Sequence, residues 1–165
     1  MGCVCWVWAW AAPASAYEDQ ASIDAELAYA HAVSDTAPAH GVGLGLGASF
    51  GLNNVLTVRG QFGWALHPSE RRTVSVLTVA AEVLYVVDVL EIVPYFGAGI
   101  DALGRLDGSF DADFGIHPVI GFDWLLSREW TLGVQLRSIF LVTAFDTDPV
   151  YFKAGASASY VIDLF

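Results

Sequence analysis

Apolar side chains recur at every second position through most of this chain, which is the period of a strand with two different faces and not that of a helix. Ile23, Ala25, Leu27 and Tyr29 share one face, and Ser22, Asp24 and Glu26 share the other. The pattern is cleanest where Val42, Leu44, Leu46, Ala48, Phe50 and Leu52 alternate with Gly41, Gly43, Gly45, Gly47, Ser49 and Gly51. A third segment sets Leu56, Val58, Phe62, Trp64 and Leu66 against Thr57, Arg59, Gln61 and His67. A fourth, over 74–87, has Leu77, Val79, Ala81, Val83, Tyr85 and Val87 opposite a face that carries Glu82. Four more follow: Phe96, Ala98 and Ile100 against Tyr95, Gly97, Gly99 and Asp101; Phe114, Ile116, Ile120, Phe122 and Trp124 against Gly115, His117, Gly121 and Asp123; Leu132, Val134, Leu136 and Phe140 against Gly133, Gln135 and Arg137; and Val150 to Leu164 against Lys153, Ser157, Ser159 and Asp163. Pro118 interrupts the sixth segment, and since a closed sheet has no edge to shelter a proline, a bulge is predicted there.

The connections have a rhythm of their own. Asn53-Asn54, 88–92 and 127–130 are short, whereas 34–40, 67–73, 103–113 and 142–149 are longer and more polar. Asn tolerates the left-handed backbone that a tight turn needs. Short turns at one end and longer loops at the other predict an all-β fold: an eight-stranded antiparallel up-and-down barrel with both termini at the short-turn end. A strand of about 10 residues, rising roughly 3.3 Å per residue and tilted near 40°, climbs about 25 Å, the height of a bilayer's apolar band.

Composition decides which face points outward. The chain is 55% hydrophobic and only 15% charged, yet no run reaches the roughly 18 apolar residues of a membrane helix; the longest candidate, 74–87, is broken by Ser75, Thr78 and Glu82. The polar faces are rich in Gly, Ser, Thr and Ala, a poor aqueous surface but a good filling for a narrow barrel. The apolar face is therefore expected to meet lipid, which makes this a transmembrane barrel. The soluble alternative, a lipocalin-like barrel, lacks its marks here: there is no disulfide pair, no C-terminal helix and no early Gly-x-Trp. Aromatic residues gather towards strand ends, with Trp64, Phe114, Phe140 and Phe152 near the outer rim and Tyr85, Phe96, Trp124 and Tyr160 near the inner one, the girdle expected at headgroup level.

With this pattern, the stretches VPYFGAGID and WTLGVQLRS and the terminal Phe165, the chain resembles the small eight-stranded outer-membrane barrels of the OmpA/OmpX type. The resemblance implies the outer membrane of a Gram-negative bacterium, with outer-membrane lipids and the barrel-assembly machinery as partners. It also implies a monomer, and a C-terminal Phe165 read as an assembly signal. Residues 3–12 form a short apolar stretch, and Ala14 and Ala16 make an A-x-A cleavage pattern, so residues 1–16 are expected to be a signal peptide and 17–165 the barrel. Cys3 and Cys5 would leave with the signal, so the mature chain would have no redox chemistry.

A net charge of −11 argues against nucleic acid. Inside the barrel the alternation places Glu26, Arg59, Glu82, Asp101, Asp123, Arg137 and Lys153, together with Asp24. Buried charges persist when paired, so a structural salt-bridge network is expected in the lumen. His67-Pro68-Ser69-Glu70 holds a His-x-Ser spacing similar to that of lipid A deacylases, which makes a lipid-modifying enzyme one alternative; a narrow gated channel is another. Loop composition accounts for the spacing equally well. His117 and Asp123 are six residues apart on one strand, too far to pair directly. His31, His40 and His67 could meet at the outer rim, but no ligand spacing supports a metal. Gly43, Gly45 and Gly47 precede no helix, so they are no nucleotide loop. The reading is a non-enzymatic barrel without catalytic residues, metal or cofactor, acting in envelope structure, adhesion or recognition through its loops.

Overall fold

The computed structural model describes residues 20–33, 38–69, 73–87, 92–106, 110–146 and 148–163; the expected signal segment 1–16, both cysteines, Glu70 and Phe165 lie outside them. Eight strands follow in chain order: β1 Gln20–Val33, β2 His40–Gly51, β3 Leu56–Pro68, β4 Thr73–Val86, β5 Ile92–Leu106, β6 Phe110–Leu125, β7 Trp130–Leu141 and β8 Val150–Asp163. Each pairs antiparallel with its neighbour, and β1 closes on β8, so every strand finds two partners and no edge is left open.

The two faces separate as the alternation requires. Ile23, Leu27, Leu44, Leu46, Val79, Ile100 and Ile120 are more than half exposed on the outside, while Glu26, Glu82, Asp101, His117, Arg137 and Lys153 are buried within. Trp64, Tyr85, Phe96, Phe114, Trp124, Phe140 and Phe152 also present their rings outward. Tyr85 packs on Phe96, and Trp130 on Tyr160, each at 5.3 Å between ring centroids. Two short turns are tied by side chains. Asn53 Oδ1 accepts from the Val55 and Leu56 amides at 3.0 and 2.8 Å, and Ser127 Oγ accepts from Glu129 and Trp130 at 3.3 and 3.1 Å, local bonds that turn the chain in place of a ladder.

Two expectations are corrected. No bulge forms at Pro118. Ile116 pairs with Phe140 and Val119 with Arg137, the same register on both sides, and the ladder to β5 runs through without a break. Proline lacks one N–H, so the pairing with β7 lapses locally opposite Ser138 and Ile139 without requiring an extra residue. The long loop expected over 103–113 is mostly strand, because β5 runs to Leu106 and β6 starts at Phe110. Leu103 is buried inside, and Arg105 binds Asp113 at 2.6 Å across the hairpin, so Asp113 is a strand residue tied by a cation.

Candidate functional site

Within the described residues the lumen divides into three levels. At the long-loop end, Ala30, Ala65, Val74, Val76, Leu103, Ile139, Leu141 and Tyr151 form an apolar cluster. Above it Arg105 joins Asp113 and Asp148, and Thr143 ties Asp113 to the Phe114 amide at 3.0 and 2.9 Å. The void left there is about 20 Å³, space for one water. The lumen is therefore less polar than the sequence suggested, since the Glu82 face of β4 also turns Val74, Val76, Leu84 and Val86 inward.

The middle level is the charged belt, and its hub is Glu82. One carboxylate oxygen accepts from Arg59 Nε at 2.8 Å and Nη2 at 2.6 Å; the other takes Arg137 Nη2 at 2.6 Å and His117 Nε2 at 3.1 Å. His117 Nδ1 meets Asp101, so a carboxylate stands at each ring nitrogen, an arrangement in which the ring donates from both. Arg59 also reaches Gln135 at 2.8 Å and lies over the Tyr95 ring, Arg137 donates to Gln61, and Lys153 stands 3.7 Å from Glu26. The register builds this belt: Arg59 faces Glu82, Glu82 faces Gly99, and Gly99 faces His117. A Cβ on Gly99 would come within 2.6 Å of the His117 ring and 2.9 Å of Glu82 Cγ, so glycine opens the gap across which ring and carboxylate meet. Of the residues named from the sequence, Arg59, Arg137 and Glu82 converge, Asp101 joins through His117, Glu26 and Lys153 pair separately, and Asp123 stands apart.

At the short-turn end the lumen opens into a vestibule of about 290 Å³, lined by Asp24, Asp123, Arg59, Tyr95 and a set of serines and threonines. Neither Asp24 nor Asp123 makes an ion pair or hydrogen bond among the described residues.

The histidines suggested by the sequence do not converge. His67 is buried inside β3, with Nδ1 on the Pro38 carbonyl at 3.0 Å and Nε2 on the Tyr151 hydroxyl at 2.9 Å. His31 and His40 pair across β1 and β2 on the outer face, with ring centroids 5.0 Å apart, and Tyr29 bonds His40 at 2.5 Å. His117 was the residue that sequence reasoning passed over. Its partners sit on β5 and β4, and the β4–β5 and β5–β6 registers together, the second hidden while that hairpin was read as a long loop, bring them to it.

A closed sheet with an apolar exterior that carries exposed aromatic rings, and with a charged interior, is an integral barrel of the outer-membrane type. The expected alternation of short and long connections is not kept, since 69–72 and 107–109 are no longer than the turns 52–55, 87–91 and 126–129. Solved structures share it. Neisserial surface protein A matches with a TM-score of 0.70 and 17% identity over 87% of this chain and 97% of that one. OprG from Pseudomonas aeruginosa matches at 0.69 and 10% identity over 88% and 97%, and the outer membrane enzyme PagL at 0.54 and 15% identity over 86% and 99%. At such identities the likeness is one of fold, that of the small OmpA/OmpX-type barrels. No protein-family model matches the chain, and no curated protein matches it in sequence.

Proposed function

We propose that this barrel is a non-enzymatic, non-conducting component of a Gram-negative outer membrane that works through its outer loops. The observation carrying this reading is the double closure of the lumen, by apolar side chains at the outer end and by the Arg59–Glu82–Arg137 belt below them. An eight-stranded barrel is just wide enough for its own side chains to fill. A place at the cell surface is what the name of Neisserial surface protein A states, and a role for the outer loops is in keeping with it. PagL keeps an enzymatic alternative in view, but both nitrogens of His67 are committed to Pro38 and Tyr151, so His67 is not free to act as the base for Ser69. The test is two-armed. Purified barrel in planar bilayers is expected to give no conductance steps, and cells expressing it to keep their lipid A unchanged, with Ser69→Ala indistinguishable from the parent. Steps abolished by changing Arg59 or Arg137 would establish a channel, and altered lipid A that depends on Ser69 would establish an enzyme.

A further inference from the structure

The charges inside the barrel pair off at the middle level and fail to do so below it. Glu26, Glu82 and Asp101 each meet a cation or His117. Asp24 and Asp123 meet none among the described residues. Asp24 is only 9% exposed, and its Oδ2 is shut off from solvent with no hydrogen-bond partner. A carboxylate in that position is unfavourable until a positive group reaches it. Both acids line the vestibule. Of the two arginines that line it with them, Arg59 is held on Glu82 and Gln135, and Arg128 stands exposed on the β6–β7 turn.

The shape narrows the choice of cation. The cavity, about 290 Å³, is far larger than the roughly 30 Å³ share of one water and close to the lower bound of small-molecule sites, about 300 Å³. Asp24 on β1 and Asp123 on β6 are separated around the wall by β8 and β7, so they enter the space from different sides. Hydroxyls of Ser22, Ser157 and Ser159 can accept N–H bonds, and Leu84, Val86 and Val93 offer apolar wall between. We propose that the vestibule, open on the short-turn side, is a binding site for a small aliphatic diamine, with an ammonium group at each carboxylate and its methylenes along the apolar wall. The site is independent of the outer loops.

The test uses the full mature chain folded in a zwitterionic detergent, titrated with 1,5-diaminopentane at constant ionic strength and followed by amide NMR and calorimetry. Saturable binding is expected, with shifts centred on Ser22, Ser157 and Ser159. It should weaken at least tenfold in Asp24→Asn and in Asp123→Asn, and pentane-1,5-diol should not bind. Heat-modifiable gel mobility checks that each variant is folded. If neither variant folds, the parent's shift map decides, and shifts outside the vestibule overturn the proposal. It is also overturned if saturation is absent, if both folded variants bind as the parent does, or if calcium saturates the same residues and the diamine cannot displace it.

Discussion

Glu82 carries more of the interior than any other side chain described, since two guanidinium groups and His117 share its two oxygens. Removing one partner of such a buried group leaves the others uncompensated, at a cost of about 3–5 kcal/mol. Glu82→Ala is accordingly expected to lower the unfolding free energy, read from urea titration of the folded barrel in lipid vesicles, by that amount. Asp24→Asn should behave in the opposite way. It removes a charge that has no partner among the described residues, so stability in the same assay should hold or rise; a loss as large as that of Glu82→Ala would show that Asp24 has a partner. The sequence revealed which charges face inward, because alternation alone settles that. It could not reveal that His117 sits between Asp101 and Glu82, since those contacts depend on the pairing of three strands.

Strand identity was legible for the same reason: a period of two survives even where glycine fills every inward position but Ser49, as in β2. The ends of strands were less so. Around Leu103, Gly104 and Arg105 the alternation lacks contrast, and β5 and β6 extend beyond what it suggested because Arg105 and Asp113 hold the hairpin together. Two glycines separate space from pattern. A Cβ on Gly41 would lie 2.8 Å from three atoms of the His67 ring, whereas one on Gly60 meets nothing within 4 Å. Gly41→Ala should therefore cost about 1–3 kcal/mol by overpacking, while Gly60→Ala stays within about 0.5 kcal/mol, both read from unfolding curves. Pro118 gives a third check. In P118A the new amide at position 118 is expected to bond to β7 and become protected in hydrogen exchange, together with its neighbours opposite Ser138 and Ile139. Rapid exchange at that amide would mean that the strands diverge there for another reason.

For the whole molecule, closure of the lumen at two levels makes the barrel hard to open by a single change. Ile139→Ala, in the apolar outer cluster, should lower stability by about 2–5 kcal/mol through the cavity it leaves, and planar bilayers should still record no conductance, because the charged belt beneath remains. Current through that variant would place the only barrier at the outer cluster. The sequence by itself determined the number of strands and the face each turns to lipid, but not the lengths of the connections, since 69–72 and 107–109 are as short as the turns at the other end. Both follow from a local period, which a chain carries without knowing its neighbours, whereas the ends of the strands depend on pairing. Tertiary structure alone decided which inward charges meet and which stay unpaired, that apolar residues close one end, and that the other end opens into a cavity. Those outcomes depend on register between strands and on the narrow radius of a closed sheet, where a glycine on one strand makes room for side chains from the strands beside it.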